Sequence, residues 1–284
     1  MRRVPAALVL AALALPAHAD RDFVIVVPGG EGSRRNSKRF FEEWTGYLRE
    51  KLAWPAESLA GGYDNDLVEG LARLRSTRPT FGVVGIDFYL AYRGAFDMRP
   101  RLSSRPYGSA TQRYVVIAPG DGPTGLLALH GGKVGGKYLS APGFVSGLIF
   151  GGDPASTGIE LVPFPGSMDA LAGALAGAIS GVVVKEREWN GIREVPRFVG
   201  KFRAVHTSEP VLAPIVVVFG EPPADGSAEA FARALSAMGD DEHGKALLGT
   251  MQENAGFVPV DEETLARAVE RYERAMGAAN GGSK

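Results

Sequence analysis

The chain has 284 residues, 45% hydrophobic and 22% charged, with a formal net charge of −1 and no cysteine. This length and apolar content suit one large or two small domains with a substantial core. Without cysteine there is no disulfide, thiol nucleophile or lipid-attached cysteine, and the dispersed, near-balanced charge gives no reason to invoke a nucleic-acid partner.

The first residues set the compartment. Arg2 and Arg3 precede the apolar run Ala6–Leu15, and Ala17-His18-Ala19 fits a small-x-small cleavage site ahead of Asp20. Residues 1–19 therefore read as a cleaved secretory signal peptide. The run is too short for a bilayer-spanning anchor. Cleavage removes Arg2 and Arg3, leaving 29 of the 31 basic residues against 32 acidic ones, a net charge of about −3. The expected product is a free, soluble, secreted protein.

In the mature chain, Asp22–Pro28 is a continuous β-branched run, the mark of a strand buried on both faces. Gly29–Ser33 is a loop, and Asn36 or Ser37 can cap a helix over Lys38–Leu52, where Phe40, Phe41, Trp44, Tyr47 and Leu48 recur at helical spacing. A weak strand near Glu57–Leu59 leads to Gly61-Gly62-Tyr63. A second helix, a buried strand and a short helix follow at Asn65–Leu74, Thr80–Val84 and Asp87–Arg93. This β-α-β-α-β-α order predicts an α/β protein with a parallel sheet.

Arg99–Ser109 breaks the pattern with polar residues, Pro and Gly, and Gln112–Ala118 is a further strand. A second α/β unit comprises Lys133–Gly135, a loop with Ser140, Pro142 and Gly143, and a helix beginning in Phe144–Phe150. It continues with a strand at Ile159–Pro163, a small-residue helix at Ser167–Leu175 and a strand at Gly181–Lys185. Phe202–His206 and Pro214–Phe219 are strand-like. Helices follow at Ala228–Met238, Asp241–Met251 and Glu262–Met276, the last capped by Asp261 and stopped by Gly277. The second unit reads as an insertion into the first. Residues 20–105 and 206–284 form lobe 1 and residues 106–205 form lobe 2, with crossings at Ser103–Tyr114 and Phe202–Pro214. A ligand would sit in the cleft, at strand C-termini and helix N-termini.

The apparent catalytic motifs fail. Gly30-x-Gly32 has Arg35 at the third glycine position of a dinucleotide loop, and Gly131…Gly136-Lys137 ends in Tyr138 where a phosphate loop needs a small hydroxyl. His130, His206 and His243 lack partners at metal-ligand spacing, and there is no Gly-x-Ser-x-Gly elbow. The expectation is a binding protein, not an enzyme, with no cofactor and no metal.

Two stretches carry a resemblance: Tyr63-Asp64-Asn65-Asp66-Leu67-Val68-Glu69-Gly70-Leu71 and Phe81-Gly82-Val83-Val84-Gly85-Ile86-Asp87-Phe88-Tyr89-Leu90-Ala91. Met168–Val184, Ser208-Glu209-Pro210 and the terminal GFVPVDEETLARAVE continue it. Together they resemble the phosphate/phosphite/phosphonate-binding proteins, periplasmic components of ABC transporters with the type II two-lobed fold. The resemblance implies a Venus-flytrap protein, expected to be monomeric, that closes on a small ligand and delivers it to a membrane permease. It implies that Tyr63 and Tyr89 face the ligand. It places the family's hydroxyl-rich cradle at Phe144, Val145, Ser146 and Gly147, its histidine at Met168, and an acidic position at or near Ser180.

On that alignment only Ser146 keeps a hydroxyl. Unpaired buried ligand oxygens cost roughly 1–3 kcal/mol each, more when charged, whereas Phe144, Val145 and Met168 offer apolar surface. The expectation is therefore a ligand with a small polar head, held by Ser140, Ser146 and Gly147, and a larger apolar part, such as a sterol-like lipid. Lys185 and His206 stand near the crossings, where an anion could meet them. The competing account is that the alignment slips by a residue, or that these side chains face the core. The functional alternatives are a sensor module for a membrane receptor and a conventional phosphonate or phosphite binder.

Overall fold

The computed structural model describes residues 21–30, 34–55, 58–152, 158–251 and 253–281. The signal segment 1–19, the loop residues Glu31–Ser33 and Glu57 of the expected weak strand lie outside them. In chain order the elements are β1 (Phe23–Val26), α1 (Arg34–Leu52), β2 (Gly61–Asp64), α2 (Leu67–Thr77), β3 (Phe81–Val84), α3 (Ile86–Tyr92), β4 (Met98–Pro106), β5 (Thr111–Gln112) and β6 (Tyr114–Pro119). They continue with β7 (Lys133–Gly136), α4 (Pro142–Phe144), β8 (Glu160–Pro163), α5 (Ser167–Leu175), β9 (Gly181–Lys185), α6 (Glu186–Ile192), β10 (Phe202–Thr207), β11 (Val211–Leu212) and β12 (Ile215–Phe219). Last come α7 (Ser227–Ser236), α8 (Glu242–Gly249), β13 (Asn254–Pro259) and α9 (Glu262–Gly281). α4 runs on as π-helical turns over Val145–Ile149.

The strands form two larger sheets and one small one. A six-stranded sheet has the order β13-β4-β12-β3-β1-β2, a five-stranded sheet β10-β6-β9-β7-β8, and β11 pairs with β5 alone. The expected parallel sheet is only partly so. β2, β1 and β3 are parallel, while β12 runs antiparallel to β3 and β4 antiparallel to β12. β6 and β10 are likewise the antiparallel part of the second sheet. The α/β class stands, with mixed sheets.

The antiparallel additions come from segments with weak strand signals. β4 (MRPRLSSRP) lies between β12 and β13 despite two prolines. Leu102 and Pro100 face Val216 and Val217 across a register shift, so a bulge takes up Arg101 beside Pro100. β2 is the Gly61–Asp64 stretch itself, an edge strand. α1 starts at Arg34, so Asn36 and Ser37 lie inside it rather than at its cap, and α9 runs through Gly277 to Gly281. Asp261 does accept the Thr264 amide at 3.0 Å, as an N-cap does.

β5 and β11 pair the two chain crossings, Val211 opposite Gln112 and Leu212 opposite Thr111. Buried serines fasten them: Ser104 Oγ donates to the Pro214 carbonyl at 2.7 Å, and the Tyr114 amide donates to Ser208 Oγ at 3.0 Å.

The period-2 alternation of β1 divides its side chains between two cores. Phe23 and Ile25 join Phe41, Trp44, Phe81, Phe231 and Phe257 on the α1/α7 side. Val24 and Val26 join a cluster that continues through Ile86, Phe88, Phe144, Val145 and Leu265 to Val116, Val134 and Val183 of the other sheet. A third cluster, including Ile117, Leu171, Val182 and Phe202, backs the five-stranded sheet. No helix among the described residues is long and apolar enough to cross a membrane.

The Phe231 ring stacks on Phe81 at 4.2 Å between centroids and is 1% exposed. Phe231→Ala should lower the unfolding free energy by about 3–5 kcal/mol, read as a fall in the denaturant midpoint with unchanged slope.

Candidate functional site

The C-terminal ends of β1, β3, β7 and β9 converge where the two lobes meet. After β1, Gly29 has φ +71, and a Cβ there would strike the Lys137 carbonyl oxygen, so a glycine lets the loops after β1 and β7 touch. After β3, Gly85 leads into α3, whose first turn holds Asp87. Asp87 is 7% exposed, and its Oδ2 accepts the Ser140 hydroxyl from the opposite lobe at 3.0 Å. Burial pushes its pKa up; hydrogen bonds from the Phe88 amide, Ser140 and its own amide, and the Lys185 charge, pull the other way without cancelling it.

The facing wall carries the matching charges. Glu188, in the first turn of α6, accepts the Lys185 amide at 3.0 Å, the Tyr138 hydroxyl at 2.9 Å and the Lys137 ammonium at 2.8 Å. The Lys137 and Lys185 ammonium groups each lie 5.0 Å from the Tyr138 ring centre, within cation–π range. Tyr114, at the start of β6, packs edge-on against Tyr138 and Phe144, each at 5.5 Å, and its hydroxyl accepts from Gln112 Nε2 at 3.1 Å. Burial first, then the charges of Asp87 and Glu188, hold the Tyr114 pKa well above the usual phenol value. Two carboxylates and two ammonium groups thus share one partly dehydrated seam with three hydroxyls. This arrangement can bind and orient a small polar solute. Among the described residues, no three His, Asp or Glu side chains gather to hold a metal ion.

The predicted positions disperse. Of the nine, Ser140 bonds to one of the seam's carboxylates. α4 begins at Pro142, two residues before the expected start. Phe144 and Val145 are both 0% exposed and belong to the core, which corrects the expectation that they line the ligand. The Ser146 hydroxyl closes its own helical turn by donating to the Pro142 carbonyl at 3.0 Å. Gly147 is where α9 crosses: a Cβ there would lie 2.7 Å from the Arg271 carbonyl oxygen and 3.1 Å from Ala275 Cβ. Gly143 likewise faces Tyr272 and Met276. The apolar replacements in the expected cradle are explained by helix packing.

The rest lie elsewhere. Tyr63, on edge strand β2, lines a groove of about 510 Å³ with Arg49, Leu59 and Arg73, and its hydroxyl reaches the loop after β1, 2.8 Å from where a Cβ on Gly30 would lie. Tyr89 lines another of about 440 Å³ with Val260, Leu265 and Val269 of the α9 side. Met168 is 45% exposed in the first turn of α5. His206 Nε2 lies 2.8 Å from the Ile149 carbonyl and ties β10 to the π-helical turns. Ser180 precedes β9, at the opposite end from Lys185.

Sequence reasoning missed Asp87, Lys137, Tyr138, Glu188 and Tyr114. One local signal was legible: Glu188 stands three residues after Lys185, the spacing of a capping box. Nothing local links Asp87 to Ser140, 53 residues away.

The family model for ABC-transporter phosphonate periplasmic substrate-binding proteins matches residues 32–265. A comparison with curated proteins finds no match. Among solved structures, a Xanthomonas citri protein bound to ATP is 15% identical, with 90% of this chain and 98% of that one covered and a TM-score of 0.73. A binding component of a phosphonate ABC transporter from Pseudomonas aeruginosa is 12% identical over 91% and 89%, TM-score 0.65. A Prochlorococcus marinus protein in complex with methylphosphonate is 10% identical over 91% and 99%, TM-score 0.65. At these identities the likeness is one of fold.

Two outcomes follow from the geometry. Gly147→Leu should force α9 away from the π-helical turns, lowering stability by roughly 1–3 kcal/mol and speeding amide exchange in α9; unchanged α9 protection would contradict the packing role. For Asp87, a folded-state pKa raised above the unfolded value means its contribution favours the fold at low pH and is lost as pH rises through the folded value. The unfolding free energy of Asp87→Asn relative to wild type should therefore rise between pH 4 and pH 8, as measured by chemical denaturation.

Proposed function

Because the chain belongs to the phosphonate-type periplasmic substrate-binding proteins of ABC transporters, we propose that it takes a small polar, oxyanion-bearing solute between its lobes and hands it to a membrane permease. Residues 1–19 act as the export signal, and the mature protein works in the periplasm as a monomer. The observation that carries the choice of ligand is the inter-lobe seam, where Ser140, Lys137 and Lys185 stand opposite Asp87 at converging strand ends. An ammonium and a hydroxyl are the donors that a tetrahedral oxyanion needs, and charge-assisted bonds of this kind are about twice as strong as neutral ones.

An apolar or lipid-like ligand loses its support, since Phe144 and Val145 are occupied by Tyr114 and the core. The Prochlorococcus marinus protein holds methylphosphonate, which makes that compound the natural first probe.

Titration calorimetry with methylphosphonate and phosphite tests the reading. Wild type should bind at least one of them at micromolar concentrations, and Lys185→Ala and Ser140→Ala should each weaken binding at least tenfold, about 1.4 kcal/mol. Absence of binding, together with a lipid co-purifying in native mass spectrometry, would overturn the polar-ligand reading.

A further inference from the structure

Five residues other than glycine hold a left-handed backbone among the described residues, and two of them stand side by side: Tyr107 at φ +54 and Glu253 at φ +49. The Tyr107 amide donates to the Glu253 carbonyl at 3.1 Å, which joins the turn after β4 to the turn before β13. Glycine adopts this backbone freely, whereas a residue with a Cβ is strained in it. Such strain persists where the surroundings enforce it, and it gathers at switches and clamps. Here the two strained residues put their side chains on the same partner. The Arg187 guanidinium carbon lies 3.4 Å from the Tyr107 ring centre, and Arg187 Nη2 lies 3.6 Å from Glu253 Oε1.

That partner comes from α6, which follows the five-stranded sheet, while Tyr107 and Glu253 flank the β4–β13 pair of the six-stranded one. The socket is stiff without Arg187. Arg105 Nε and Nη2 both donate to the Gly108 carbonyl, at 3.3 and 3.0 Å, and the Arg105 amide donates to Asn254 Oδ1 at 2.9 Å. Arg187 stands in the first turn of α6, between Lys185 at its N-cap and Glu188, which holds Lys137 and Tyr138. A guanidinium seated in the socket therefore fixes the helix start that carries two charges of the seam.

We infer that Arg187 is a positioning residue, a latch that holds the first turn of α6 against the opposite lobe when the lobes are together and so prolongs the stay of a bound solute. This rests on the proposed reading that the lobes close on a solute, but not on which solute fills the seam. A surface contact that only supports the fold is the competing role. An exposed ion pair alone contributes little; the planar guanidinium stacked on the ring adds to it.

The strained backbone separates the two roles. Tyr107→Gly and Glu253→Gly each take a side chain away from Arg187 and relieve a left-handed residue in the same step. The denaturation midpoint should stay level or rise, while methylphosphonate dissociation, followed by stopped flow, should quicken roughly three- to tenfold. Arg187→Ala should quicken it as much, and Arg187→Lys, which keeps the charge without the planar fork, should fall between. A ligand-free measurement accompanies the kinetics. The protein has no cysteine, so Glu50→Cys on α1 and Leu127→Cys ahead of β7, both exposed, carry spin labels at those two positions alone. Pulsed spin-label distances should lengthen when Arg187→Ala is added. An unchanged distance or an unchanged dissociation rate in Arg187→Ala would overturn the latch, as would glycine variants that lose stability and leave dissociation unaltered. Failure of wild type to bind methylphosphonate would overturn the oxyanion reading, and the distances alone would then decide the latch.

Discussion

The close approach of α9 to the turns after Pro142 governs the rest of the structure. Gly147 leaves the Arg271 carbonyl just enough room, and Gly143 does the same for Tyr272 and Met276. α9 follows β13, the edge strand of the six-stranded sheet, yet it lies against turns that belong to the other lobe. Arg93 of α3 pairs with Glu273, and Arg271 pairs with Glu209 in the second crossing. One helix therefore touches both lobes and the connection between them. Small residues are required at its contact because helix backbones can approach this closely only where Cβ atoms are missing.

That packing leaves the seam to polar groups. With Phe144 and Val145 drawn into the core, the polar groups left between the lobes come from loop residues at strand ends and from the first turns of α3 and α6. Burying charges there is tolerated because each has a partner. Isolated ions lose several kcal/mol on leaving water, and pairing with further hydrogen bonds offsets the loss. Glu188 gathers the Lys137 ammonium, the Tyr138 and Ser167 hydroxyls and the Lys185 amide, and Asp87 has the amides of its own helix as well as Ser140. The Asp87 and Glu188 carboxylates are matched in number by the Lys137 and Lys185 ammonium groups.

Much of the architecture was legible in the sequence. Continuous β-branched runs mark β1, β3, β9 and β12, because strands buried on both faces show no alternation. α2, α5 and α9 follow from periodicity and caps. β4 and β13 were not legible: their prolines, glycines and serines read as loop, and β4 forms a strand because β12 offers an edge and a bulge accommodates Pro100, while β13 adds to β4 in turn. The site was less legible. Of the cradle that the family resemblance suggested, Phe144 and Val145 are buried in the core, because they pack against Tyr114 and the apolar cluster between the sheets.

The sequence by itself determined the class, the two-unit order, the family resemblance and the expected export signal, since these rest on composition and local pattern that survive any packing. Only the tertiary structure decided which polar groups meet. Ser140 and Asp87, or Tyr114 and Glu188, are distant in the chain and carry no mark of one another. Their juxtaposition depends on how two sheets, two crossings and α9 set one lobe against the other. That relation is a property of close-packed surfaces, and no local stretch of residues encodes it.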